Sequence, residues 1–272
     1  MAVTAELALL ETRRAFDGVA AEYHRSNAEN PTLCEMRRRV LSALMRRVPI
    51  GAHVLELGCG PGTDCEVLAR SGYSVTAIDW SPAMVEEARR RIATAGLADR
   101  VEIRHTGIHE LGTLPMTAYD AVYSNFGPLN CVPDIVDVAR QISARLRPGG
   151  NLVASVIGRV CPWEIALYLA RGRWSRATVR FARGLVPVPL NGRTVWTRYY
   201  SPSEFERPFR SAGFRHVSVS ALGFLAPPPY MEAFRRRHPQ LVTQLNQLDE
   251  RVGGWPLVRA CGDHFLIVLE RT

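Results

Sequence analysis

Val54-Leu55-Glu56-Leu57-Gly58-Cys59-Gly60-Pro61-Gly62-Thr63 reads as a buried strand that runs into a glycine-rich turn and opens a helix. Glycines at such a turn have a physical job. Lacking Cβ atoms, they allow the sharp reversal and let a ligand lie against the backbone, close to the N–H groups of the helix start. A glycine turn after a strand also serves dinucleotides, so the spacing has to decide between ligands. The dinucleotide fingerprint G-x-G-x-x-G/A needs glycine or alanine at position 63, where Thr63 stands, and Pro61 has no N–H to offer a pyrophosphate. A nicotinamide-dependent oxidoreductase is therefore the disfavoured alternative.

Working outward, short apolar runs alternate with helical patterns: Val54–Leu57, Val75–Ile78, Val101–Ile103, Ala121–Tyr123 and Leu152–Ile157, with later strands at Val217–Ser220 and Phe265–Leu269. This rhythm predicts an α/β fold with a mostly parallel sheet and crossover helices. Ser81-Pro82 caps one helix, Gly96 ends it, and Arg147-Pro148-Gly149-Gly150 stops another that begins near Ile135. Two stretches break the rhythm and follow strands, at the sheet edge where such folds keep ligands. The expected organisation is an N-terminal helical cover (1–50), a ligand-binding core (51–158), a first cap insertion (159–200), a core continuation (201–222), a second cap insertion (223–262) and a final strand (263–272).

The whole chain of 272 residues, 47% hydrophobic and 22% charged, suits one large domain. No apolar run approaches the roughly 18 residues of a membrane-spanning helix. The first residues carry an early acid and no basic n-region, so export is not expected. Six cysteines without a C-x-x-C pair read as reduced thiols of a cytoplasmic protein. All 34 basic residues are arginine. The absence of lysine excludes Schiff-base chemistry and a phosphate-loop lysine.

The string from Val54 to Thr63 resembles motif I of the class I S-adenosylmethionine-dependent methyltransferases, acidic-x-Gly-x-Gly-x-Gly, at Glu56, Gly58, Gly60 and Gly62, with Cys59 inside the turn. The resemblance implies a Rossmann-like methyltransferase fold: a seven-stranded mostly parallel sheet with helices on both faces, here with a cap from two insertions. It also implies that Asp79, 17 residues beyond Gly62, accepts both ribose hydroxyls, that Trp80 and Met84 pack on adenine, and that the backbone of Gly107 and Ile108 serves the adenine edge. Asn125 falls where the family holds the methionine end of the cofactor and begins the acceptor pocket. Phe16-Asp17-x-x-Ala20-x-x-Tyr23 looks like the cofactor-covering helix of the subgroup that includes ubiquinone and menaquinone biosynthesis enzymes. The function implied is methyl transfer from S-adenosylmethionine to a small-molecule acceptor. A non-catalytic S-adenosylmethionine-binding protein is the second alternative.

An acceptor hydroxyl or activated carbon gains from a general base. His264, beside Asp263 at the start of the last strand, and His24, beside Tyr23 on the covering helix, are the candidates. His105 and His109 flank Gly107 at a strand end, which argues against a metal pair, and no metal is expected. From Arg159 to Arg215 there are eleven arginines against three acids. Trp163, Leu167, Ala170, Trp174, Ala177 and Phe181 recur at helical steps, with Arg173, Arg176, Arg180 and Arg183 on a second stripe. An aromatic face beside an arginine face suits an anionic, amphiphilic acceptor or peripheral contact with a membrane surface, and equally a solvated cap helix. Nucleic acid is not expected as a partner, since no recognition module accompanies the charge.

Overall fold

The computed structural model describes residues 3–23 and 30–272. Seven strands, β1 (His53–Leu57), β2 (Ser74–Asp79), β3 (Val101–His105), β4 (Tyr119–Ser124), β5 (Leu146–Ile157), β8 (Phe214–Leu222) and β9 (His264–Arg271), form one sheet in the order β3-β2-β1-β4-β5-β9-β8. Only β9 runs antiparallel to its neighbours. Both faces of the sheet are covered, which is why β1 is buried nearly throughout rather than alternating. Val54 enters the core layer on one face, and Leu55 and Leu57 enter the layer on the other.

Crossover helices fill the layers: α3 (Thr63–Arg70), α4 (Pro82–Thr94) and α5 (Ile135–Arg145). The helix start read at Ser81-Pro82 is present, with Ser81 Oγ accepting from the Met84 N–H at 3.1 Å. Before β1 lie α1 (Ala5–Asp17) and α2 (Pro31–Met45). Asn30 caps α2 by accepting from the N–H groups of Thr32 and Leu33.

The first insertion differs from the single amphipathic stretch that the sequence suggests. It holds α6 (Pro162–Ala170), a turn at Gly172 (φ 66°), the short α7 (Trp174–Ala177) and a 3-10 turn at Val179–Phe181. A two-stranded hairpin follows, β6 (Val186–Leu190) and β7 (Arg193–Thr197). Because the helix breaks at Gly172, the four arginines share no stripe. Arg173, Arg176 and Arg183 are exposed, whereas Arg180 is buried between two carboxylates. After α8 (Pro202–Ser211) and β8, the second insertion supplies α9 (Glu232–Arg237) and α10 (Pro239–Val252). It joins the first through Trp163 Nε1, which donates to the Leu225 carbonyl at 2.8 Å, and joins α2 through Arg38–Glu250 and Arg235–Asn30.

Candidate active site

A cavity of about 330 Å³ opens at the carboxyl ends of β1, β2 and β4. Its floor is the turn after β1, one wall is Asp79, Trp80 and Met84, and the opposite wall is Asn125, Phe126 and Pro128. Its roof has two parts: Leu9, Thr12, Arg13 and Phe16 on one face of α1, and Val188, Leu190, Val195 and Thr197 of the hairpin. Tyr23, Glu56, Cys59 and Ile108 complete the lining among residues that the sequence singles out.

The three glycines of the turn have three different reasons to be glycine. A Cβ at Gly58 would meet Pro128 at 2.5 Å, and one at Gly62 would meet Ala88 of α4 at 3.1 Å. Gly60 (φ 53°) has only the Tyr23 ring, 4.0 Å away, so there the backbone itself faces the cavity. Gly62 lies outside the lining, and its approach to Ala88 gives it a packing role between α3 and α4 beside the ligand role expected of it. Gly107 also has a structural reason to be glycine. Its N–H donates to Glu110 at 3.1 Å, and a Cβ there would strike His109 at 2.3 Å, while its neighbour Ile108 does line the cavity.

Asp79 accepts from the Gly60 N–H through Oδ2 and from the Ser81 N–H through Oδ1, both at 2.8 Å. Each carboxylate oxygen keeps a second lone-pair direction, the capacity that two ribose hydroxyls would need. Burial raises this carboxyl above its ordinary range, with a further push from Asp17, against the pull of the two N–H groups.

Also lining the cavity, Arg37 of α2 donates from Nε to Asp64 Oδ1 at 2.5 Å. Asp64 Oδ2 accepts from Tyr123 at 3.1 Å and from Asn125 Nδ2 at 2.9 Å. Asn125 Oδ1 takes the Ser155 hydroxyl at 2.7 Å, so this side chain orients Asp64 and leaves little of itself for a ligand. Glu56 accepts the Cys65 thiol at 3.0 Å, and burial, followed by the Asp64 charge, pushes its carboxyl well above the usual range. Phe126 sits at φ 60°, unusual for an aromatic residue, with Arg37 over its ring. Its N–H is held by Asn125 and Ser155. Such strain concentrates where a fold positions a functional group.

Trp80 lies under the Arg13 guanidinium (5.4 Å) with His105 stacked beside it and the His109 edge at 4.8 Å. The Trp80 indole N–H and Arg13 Nε are both buried without a hydrogen-bond partner among the described residues. Buried polar groups of this kind call for a partner, here from the cavity that both residues line.

Of the two histidines expected as bases, His264 can be placed and does not line the cavity. His264 is buried outside the lining, its Nδ1 3.1 Å from Asp263 Oδ2 and its ring edge-on to Phe126. His24 lies outside the described residues. Ligand atoms of Cys161, Glu164 and Asp263 come within 4.8 Å of one another, a spacing that a metal ion could bridge. The Arg180 guanidinium already serves that cluster, with Nη2 2.6 Å from Glu164 and 2.7 Å from Asp263.

Sequence reasoning missed Arg13, Arg37, Asp64, Cys131 and the whole hairpin. The hairpin had a usable signal, since Asn191-Gly192 between β-branched and aromatic residues favours a two-residue turn with positive φ at both positions, and the angles are 47° and 75°. Asn130 then ties the hairpin's end to the sheet by donating to the carbonyls of Arg198 and Ile157.

Residues 54–150 match the family model described as a methyltransferase domain. The ubiquinone biosynthesis O-methyltransferase of Xanthomonas axonopodis pv. citri is 32% identical over 177 residues, covering 65% of this chain and 68% of that one. The enzyme of the same name from Xylella fastidiosa is 31% identical over 185 residues, 68% and 70% of the two chains. Among solved structures, the DhpI-SAM-HEP complex superposes with a TM-score of 0.64 at 20% identity over 99% of this chain and 100% of its own. The 1,6-didemethyltoxoflavin-N1-methyltransferase of Burkholderia thailandensis gives 0.62 at 16% identity, covering 100% and 92%. These neighbours show the fold, while the sequence relatives carry the family. The chain belongs to the class I S-adenosylmethionine-dependent methyltransferases, acts on a small molecule, and within that family resembles the ubiquinone biosynthesis O-methyltransferases.

Proposed function

We propose that this enzyme moves the methyl group of S-adenosylmethionine to a hydroxyl oxygen of an amphiphilic, quinone-type precursor. The observation that carries this reading is one continuous cavity, polar and aromatic at Asp79 and Trp80 and apolar under Leu9, Phe16, Val188 and Leu190. The residues present fit the donor: an open glycine cradle at Gly60, a carboxylate with spare lone pairs at Asp79, and an unpartnered indole N–H at Trp80. When bound, S-adenosylmethionine supplies an already activated methyl group, so the protein's task is alignment and exclusion of water.

In this reading Asp79 fixes the ribose, Trp80, Met84 and Ile108 hold the adenine, and Tyr23, Glu56 and Cys59 close the floor around the donor. Arg37, anchored by Asp64, turns its remaining N–H groups toward the methionine carboxylate, which suits an arginine fork. Arg13 faces the acceptor's anionic oxygen and favours its ionised form. Cys131 also lines the cavity, and burial pushes its thiol up to about 12, which keeps a competing sulfur nucleophile protonated.

Among the described residues no helix is long and apolar enough to cross a membrane. The exposed Trp174 and Phe181 beside Arg173, Arg176 and Arg183 support a cytoplasmic enzyme that touches an anionic membrane surface to collect its acceptor. The functional test is S-adenosylhomocysteine formation with an alkyl-substituted catechol as probe. Turnover that falls at least tenfold in Arg13→Gln at saturating S-adenosylmethionine, beyond any loss of donor affinity through the Trp80 contact, is the expected result. Failure of the catechol beside turnover of a primary-amine analogue would overturn the assignment of oxygen as the methylated atom.

A further inference from the structure

Asp17 is the wrong residue for its own helix. It ends α1, where the partial negative charge of the helix C-terminus disfavours a carboxylate, and no basic side chain pairs with it among the described residues. It is the right residue for its neighbour. Its Oδ1 accepts the Ser81 hydroxyl at 2.5 Å and lies 3.5 Å from the Ala83 N–H, at the start of α4 where negative charge is favoured. Ser81 is also the residue whose N–H holds Asp79. The covering helix is thus tied, through one serine, to the carboxylate that faces the cavity. At its middle α1 is tied to the hairpin: Trp196 donates from its backbone to Thr12 at 3.0 Å and from Nε1 to Glu11 at 2.6 Å. Between these two ties lie Arg13 and Phe16, and Leu9 sits just before the first, together making the α1 part of the roof.

We propose that Asp17 is a positioning residue: through Ser81 it latches the covering helix shut over the donor, so that the escape of donor or product requires this contact to open. The proposal rests on the cavity being the donor site. Because Ser81 holds both carboxylates by separate atoms, loosening Asp17 frees α1 while leaving the Asp79 contacts to Gly60 and Ser81 in place.

The test uses the full chain and two readouts. In Asp17→Ala, hydrogen exchange across residues 5–17 should quicken about tenfold while β1 and β2 keep their protection. Dissociation of S-adenosylhomocysteine, followed by tryptophan fluorescence in stopped flow, should quicken by a similar factor, and the KM for S-adenosylmethionine should rise more than kcat changes. Asp17→Asn, whose amide oxygen still accepts the Ser81 hydroxyl, should stay within about threefold of wild type in both readouts. Trp196→Phe removes the Glu11 contact and should loosen the middle of α1 in the same two measurements. An Asp17→Ala chain with wild-type exchange and dissociation overturns the latch, as does one that exchanges faster throughout the sheet or fails to fold. An Asn variant as impaired as Ala overturns it too. The exchange arm contains no ligand, so a wild-type protein that binds no S-adenosylhomocysteine would sink the functional reading without deciding the latch.

Discussion

Replacing Arg180 with methionine should cost far more stability than any other change in the arginine-rich insertion. The guanidinium is 7% exposed and donates to Glu164 and Asp263 at 2.6 and 2.7 Å, and to the carbonyls of Gly158 and Asp263 at 3.1 and 3.0 Å. Methionine fills much of the volume and leaves two buried carboxylates without a cation. Breaking a buried pair from one side typically costs about 3–5 kcal/mol, and for a chain of this size roughly 2–4 °C of Tm accompanies each kcal/mol, so a fall of about 6–20 °C is expected by calorimetry. The pH dependence adds a sharper signature. Burial alone would raise the Asp263 carboxyl, but Arg180 and then His264 hold it below the ordinary carboxylate range. In the wild type it therefore contributes stability that is present above the unfolded value and lost as pH falls through the depressed folded one. Without Arg180 burial prevails, the folded value rises above the unfolded one, and protonation relieves the variant. The Tm gap between the two proteins should narrow from pH 7 toward pH 4, and Arg180→Met/Glu164→Gln/Asp263→Asn should recover much of it at pH 7. A loss below about 2 °C, or a gap that does not change with pH, would refute the reasoning.

Asp79→Ala should weaken S-adenosylmethionine binding at least tenfold in isothermal titration, since hydrogen bonds to a charged group contribute roughly 1.5–3 kcal/mol each. It should also lower Tm, because the same carboxylate holds the Gly60 and Ser81 N–H groups. Exhaustive chelation with EDTA should leave turnover unchanged; loss restored by Mg²⁺ or Zn²⁺ would reverse that expectation. Replacing Arg173, Arg176 and Arg183 together by glutamine should abolish sedimentation with phosphatidylglycerol vesicles at low salt and leave donor affinity intact. The wild-type interaction should itself fade as ionic strength rises, because exposed charges are screened over about 10 Å at 0.1 M. Equal sedimentation of the triple variant would leave these arginines as a solvated face.

What could be read in the sequence was local, and what could not be read depended on distant partners. The seven core strands, the Ser81 cap and the glycine turn follow from side-chain periodicity and turn chemistry, both short-range properties, and all are present. Arg180 looked like its neighbours Arg173 and Arg176 because a helical stripe assumes that the helix continues. The chain instead turns at Gly172, and one of Arg180's carboxylates is 83 residues away. His264 shows the same limit from the other side: its sequence setting beside Asp263 suits a base, but strand β9 aims its ring at Phe126 rather than into the cavity. The glycine turn carries the lesson furthest. Three glycines at equal spacing are indistinguishable in a motif, yet Pro128 explains the first, the open cavity the second and Ala88 the third. Alanine at Gly58 or Gly62 should therefore act through packing and lower Tm. Alanine at Gly60 meets nothing closer than Tyr23, so apart from the strain of its positive φ its cost should fall mainly on the ligand that the cradle receives.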